Sequence, residues 1–188
     1  MKALFILLFF LPFISFSQEY TEVVEVPGKT SGQLYSIARE WFAKSFISAD
    51  NTLLMDDRIS GKIIAKGSFH ISDSTSNVVW YPNFTIEISF KDGRYKNEIT
   101  DISITSGVSE NSSGTTSPFK KYLDKKENYK NLGDPGWRMS KRKIGKETAI
   151  KASEPYQSIY NLICKTESEL KDILSKIQIE MKKSEGDW

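Results

Sequence analysis

The residues of this chain best suited to chemistry are a single histidine, a single cysteine and one pair of adjacent acids. His70 and Cys164 are the only residues of their kinds. A zinc site draws several His, Cys or carboxylate ligands together at short spacing, and that ligand set is missing. Asp56-Asp57 suggests an acid–base pair, but neighbours in an extended chain point to opposite faces, so the two read as turn residues. No G-x-S-x-G elbow supports a triad around His70. Neither G-x-G-x-x-G nor G-x-x-x-x-G-K-[ST] occurs, so nucleotide sites of those types are absent and no cofactor is expected.

A second kind of chemistry is charge on a surface. Residues 119–146 hold ten basic residues against Asp124, Glu127 and Asp134, a local balance of +7. Lys120, Lys121, Lys125, Lys126, Arg138, Lys141, Arg142 and Lys143, with Trp137 among them, are the candidate contacts to an anionic surface. Basic groups interleaved with aromatics can hold lipid head groups, acidic glycans or an acidic protein patch. The plainer reading is a solvated, flexible loop pinned to the domain by its aromatic rings.

Those candidates need a frame. The 188 residues open with Lys2 and an apolar run to Phe16, and Ser15-Phe16-Ser17 supplies small residues for cleavage before Gln18. Residues 1–17 thus read as an export signal, too short to span a membrane. The remaining 171 residues suit one domain. They carry 25 basic and 24 acidic side chains, a near-neutral balance that argues against nucleic acid. Cys164 has no partner for an internal disulfide and sits on a helical stripe, where it reads as a small buried hydrophobe.

The organising stretch is 61–105. Val78, Trp80, Pro82, Phe84, Ile86, Ile88 and Phe90 alternate with polar residues, giving a strand with one dry face. Lys91-Asp92-Gly93-Arg94 then predicts a tight hairpin with the positive φ angles of a type I′ turn. The partner strand over 94–105 shifts its apolar parity between Ile99 and Ile102, which predicts a bulge near Thr100-Asp101. Pro82 lacks an amide hydrogen and is expected at an edge or irregularity.

Around this hairpin, strands are expected over 20–26, 51–55 and 62–72, with small Ala65 and Gly67 leaving room for a helix. Thr30-x-x-Gln33 has the form of a capping box opening that helix, through about Phe46. Trp41 and Phe42 read as its core face. With Trp80 and Phe84 they are also the candidate lining of a pocket between sheet and helices. From Ser153 a long helix is expected, with Pro155 in its first turn; at about 40 Å it either bends or overhangs the sheet, and an overhanging apolar end is a candidate contact surface.

This order, behind an export signal, resembles an uncharacterised family of exported proteins of Bacteroidetes-type bacteria, a domain of unknown function with a TBP-like fold. The residues carrying the likeness are Glu22 to Gly28, Leu34-Tyr35, Ala38-x-x-Trp41-Phe42, Asp56-Asp57, Gly61 to Gly67 and Phe90 to Tyr95. The resemblance implies a fold and an exported location, and no activity or site residues.

The expected fold is α+β: a twisted antiparallel sheet of about five strands, with an N-terminal and a long C-terminal helix on one face. The domain plan is a signal over 1–17, a TBP-like core over 18–106, a flexible basic insertion over 107–146 and a completing helix over 147–188. The expected function is a non-enzymatic, periplasmic or secreted binding module. Its partner would be an envelope protein or anionic envelope surface, met by the basic insertion and the outer end of the last helix. A protein binding a small, lipid-like ligand is the alternative, and a cryptic hydrolase using His70 a third reading.

Overall fold

A computed structural model describes residues 20–45, 53–72, 78–107 and 114–183. The export signal therefore lies outside the described residues. Seven strands form one antiparallel sheet: β1 (Tyr20–Glu25), β2 (Leu53–Asp57), β3 (Lys62–Ser68), β4 (Ile71–Ser72), β5 (Val79–Lys91), β6 (Arg94–Gly107) and β7 (Thr115–Pro118). The main order is β1-β6-β5-β3-β2, with β4 added to β5 and β7 to β6. The five-strand expectation thus holds for the main path, and two short strands extend it.

Period-two patterning sets the register. Ala65, Ile86 and Ile99 lie side by side on one face, as do Ile63, Ile88 and Asn97. All six are fully buried. Asp101, at φ 52°, is the extra residue of a bulge, for Asn83 pairs with Ser103 but Thr85 with Thr100. This extra residue keeps Ile99, Ile102 and Ile104 on the buried side. The predicted strand over 62–72 is broken into β3 and β4 opposite Pro82. Phe69 N donates to Pro82 O at 3.2 Å there, and the proline has no N–H to offer the same edge.

Two local expectations need correction. Gly67 does not make room for the helix: a Cβ there would lie 2.3 Å from the Phe84 ring, its cross-strand partner, so the glycine accommodates that ring. The Asp92-Gly93 turn has a positive φ only at Gly93, so it is not type I′. Its docking explains the difference. Gly93 N donates to Lys29 O, Val26 N to Gly93 O, and the Asp92 carboxylate accepts from Ser31 N at 2.7 Å.

That last bond caps helix α1 (Ser31–Ser45). The capping box is formed as well: Thr30 N donates to Gln33 Oε1 at 2.8 Å, and Gln33 N to Thr30 Oγ1 at 3.3 Å. Leu34, Ala38, Trp41 and Phe42 bury the helix against the dry face, with the Trp41 and Phe42 rings edge to face at 5.0 Å.

The segment over 107–146, expected to be a flexible insertion, instead carries β7 and three helices: α2 (Lys120–Leu123), α3 (Lys126–Leu132) and α4 (Pro135–Arg142). Asp134 caps α4, accepting from Gly136 N, with Pro135 in the first helical position. The last helix, α5, runs from Lys146 to Lys182, seven residues earlier than predicted, so Pro155 falls in its interior and removes the amide bond to the Lys151 carbonyl. Leu170, Leu174, Ile177 and Met181 of α5 join the core of sheet and α1. The first half of α5 packs against α3 and α4, through Tyr156 and Gln157.

Candidate functional site

The basic candidates do not form one surface. Arg138 is 4% exposed: its Nε donates to the Leu132 carbonyl, and its guanidinium lies 4.7 Å above the Tyr156 ring. This arginine ties α4 to α3 and α5 and is not a surface contact. Lys126 pairs with Glu167 of α5, and Lys120 with Asp124 at 2.9 Å. Trp137 is half-buried. Lys121, Lys125, Lys141, Arg142 and Lys143 are exposed and form no ion pair with a described residue. Lys141 and Arg142 occupy the last turn of α4, where cations offset the negative helix end.

The four aromatic candidates do not converge either. Phe42 and Phe84 are core residues, 1% and 3% exposed. Trp41 is also core, and its edge reaches a separate groove with Ile37, Lys176 and Ile179 between α1 and the C-terminal end of α5. Trp80 lines a cleft that combines apolar and polar side chains. Its volume is about 460 Å³, and it lies between β4–β5, the α3–α4 turn and the first half of α5. Ile71, Pro135, Ile150 and Leu162 share its wall with Trp80. Ser72, Glu154, Gln157, Asn161 and Lys165 supply polar groups.

The local sequence explains how this cleft arises. The β3–β4 interruption at Pro82 places Ile71 opposite Trp80 on β5. Gly133 lets the α3–α4 turn approach α5 closely, since a Cβ there would come within 3.0 Å of Gln157 backbone atoms. Along α5, residues 154, 157, 161 and 165 recur on one face. Gln157 Nε2 donates to Asn161 Oδ1 at 3.0 Å, fixing the two amides relative to each other. Trp80 Nε1 is buried without a partner, a state folded proteins normally avoid. Sequence reading missed the α5 half of this cleft because its polar residues look like an ordinary solvated helix face.

Asp56 and Asp57 part as expected. Asp57 accepts from Ile59 N and Ser60 N in the turn, and these bonds hold its carboxyl below the usual range. Asp56 accepts from the Tyr35 hydroxyl and, at 2.7 Å, from Arg39 Nε of α1. Burial works against its ionisation, but those two bonds outweigh it and lower its pKa. Burial, then the bond to Asp56, pushes the Tyr35 phenol up. The group is a clasp between α1 and edge strand β2.

His70 is exposed with no hydrogen bond to a described residue. Cys164 is half-buried, not buried, because the helix turns Ile163 into the core and leaves the thiol beside Tyr160. Among the described residues no group of three or more His, Cys, Asp or Glu could hold a metal, and no helix is long and apolar enough to cross a membrane. Sequence reading also missed a polar element of the core. Asn97 and Thr166 are 0% exposed and Tyr95 1%; the Tyr95 hydroxyl faces the Asn97 amide, and Thr166 Oγ1 has no partner among the described residues.

No curated protein matches this chain. The structure is similar to a TBP-like protein from Parabacteroides distasonis ATCC 8503, at 12% identity and a TM-score of 0.56, over 89% of this chain and 94% of that one. It is also similar to a DUF4468 family protein from Bacteroides ovatus ATCC 8483, at 13% identity and a TM-score of 0.52, over 90% of this chain and 89% of that one. At these identities the likeness concerns the fold, and its coverage extends past residue 105 into the helical segment. The family described as a domain of unknown function (DUF4468) with TBP-like fold matches residues 20–105. Those residues thus match the DUF4468 family model, and the fold is TBP-like.

Proposed function

We propose that the protein is an exported, non-enzymatic binding module whose working site is the cleft beside Trp80. The observation that carries this reading is the composition of that cleft. It joins an apolar wall of Trp80, Ile71 and Pro135 to a row of polar side chains on α5. Its volume of about 460 Å³ falls in the range of small-ligand sites, which pair a largely apolar lining with a few placed polar groups. Export rests on the N-terminal signal read from the sequence.

The test is native mass spectrometry of the protein purified from its own cells. A co-purifying small molecule is expected, and Asn161→Trp, which fills the cleft from an exposed position, should release it. Retention of the same ligand by that variant refutes the cleft as the site.

A second reading is docking on an anionic envelope surface. It is supported by the consecutive exposed cations Lys141, Arg142 and Lys143. Binding to vesicles containing phosphatidylglycerol that fades at high salt, and is lost when all three are changed to Gln, is its expected signature.

A further inference from the structure

We infer that the cleft takes a neutral, elongated, polyhydroxylated ligand, in chemistry a short oligosaccharide, laid along the polar row of α5. This rests on the cleft being the binding site. Glu154, Gln157, Asn161 and Lys165 lie along twelve helical residues, about 16 Å from first to last at the usual rise per residue. A row of that length on one helix face fits an extended ligand rather than a compact one.

Charge decides the next point. Glu154 and Lys165 stand at opposite ends, and neither forms an ion pair with a described residue. Their charges cancel, so the cleft offers no net attraction to an anion or a cation. Between them, the bond from Gln157 Nε2 to Asn161 Oδ1 leaves Gln157 Oε1 as an acceptor and the Asn161 Nδ2 hydrogens as donors. Neighbouring hydroxyls, each both donor and acceptor, match such an amide pair. The carboxylate of Glu154 can accept from two hydroxyls, and the Lys165 ammonium can donate to one.

The opposite wall supplies the other half of that recognition. Trp80 of β5 and Pro135 of the α3–α4 turn present apolar surface to the C–H face of a sugar ring. An acyl chain would satisfy this wall but strip water from the amides, the acid and the lysine without replacing those hydrogen bonds. That penalty disfavours the lipid-like ligand expected from the aromatic residues alone.

The test titrates full-length exported protein with maltotriose, cellotriose and N-acetylchitotriose, and separately with palmitate, following amide resonances by heteronuclear NMR. Saturable shifts at Trp80 and along residues 154–165 are expected with at least one trisaccharide, unchanged by 0.5 M salt. Gln157→Ala with Asn161→Ala, both exposed, should weaken that binding at least tenfold with the far-UV circular dichroism unaltered. The inference is overturned if the double variant binds equally well, or if all three trisaccharides leave the cleft resonances unmoved. Shifts with palmitate alone would overturn the ligand class and leave the cleft standing. A cleft silent to every probe, together with no ligand released by Asn161→Trp, would remove the site as well.

Discussion

The sheet with α1 and the second half of α5, and the helical segment of 120–142 on the first half of α5, hold together by different means. In the first, large apolar side chains meet across a repeating register, and Leu34, Phe42, Ile63, Ile86, Ile88 and Ile99 are all essentially inaccessible to water. In the second, α2 and α3 bury no residue fully and α4 buries only an arginine. Its contacts include the Arg138–Tyr156 stack, the Lys126–Glu167 pair and the tilted rings of Tyr129 and Tyr156 at 6.4 Å, with Tyr122 and Leu123 half-buried at the edge of the core. One region is an apolar core that excludes water. The other is a polar clamp on a long helix, and the cleft lies along the seam between them.

The largest expected effect tests the core. Phe42→Ala should cost about 3–5 kcal/mol, because a buried aromatic leaves both lost transfer energy and a cavity. Chemical denaturation would show it as a lower midpoint for the whole domain. A loss below about 1 kcal/mol would mean that α1 collapses readily onto the sheet.

Arg138→Met should cost less, about 1–3 kcal/mol, as one charged hydrogen bond and one stacked ring are lost. Its location matters more than its size. Amide exchange should speed up in α3 and α4 while β5 and β6 stay protected. Equal acceleration in both regions would show that the clamp and the core unfold as one.

Asp56 gives a pH handle confined to the first region. Its carboxyl titrates lower in the folded state than in the unfolded chain, so the clasp contributes above the unfolded value, near pH 4. The contribution is lost as pH falls through the folded value. Asp56→Asn should remove about 1 kcal/mol at neutral pH and flatten the acid limb of a stability–pH curve. An unchanged limb would assign acid sensitivity elsewhere.

The smallest expected change is a gain. Thr166→Val replaces a buried hydroxyl without a partner among the described residues by an apolar group of the same shape, and should be neutral or stabilising by up to about 1 kcal/mol. A clear loss would show that an internal water or a further bond satisfies Thr166 in solution.

The sequence legibility of the two regions follows the same division. Alternation from Val78 to Phe90, the Thr30–Gln33 box and the parity shift at Ile99–Ile102 are local patterns, and each corresponds to an observed element. What sequence reading missed depends on partners far along the chain. Asp92-Gly93 departs from type I′ because residues 26–31 dock on it. Gly67 faces a ring seventeen positions away. The basic segment folds because α5 offers it a surface, and nothing within residues 119–146 announces that. The cleft was half legible: Trp80 stood out as a large residue, but Glu154, Gln157, Asn161 and Lys165 were indistinguishable from ordinary solvent-facing positions.

The bond from Ser31 N to the Asp92 carboxylate has a kinetic consequence. It spans 61 positions, yet it joins the first turn of α1, the costly step of helix formation, to the tip of the most local hairpin in the sheet. A hairpin that closes early presents a ready-made cap, so helix nucleation and sheet growth are coupled in time as well as in space. Asp92→Ala is then expected to slow refolding about as much as it lowers stability, with little change in the unfolding rate.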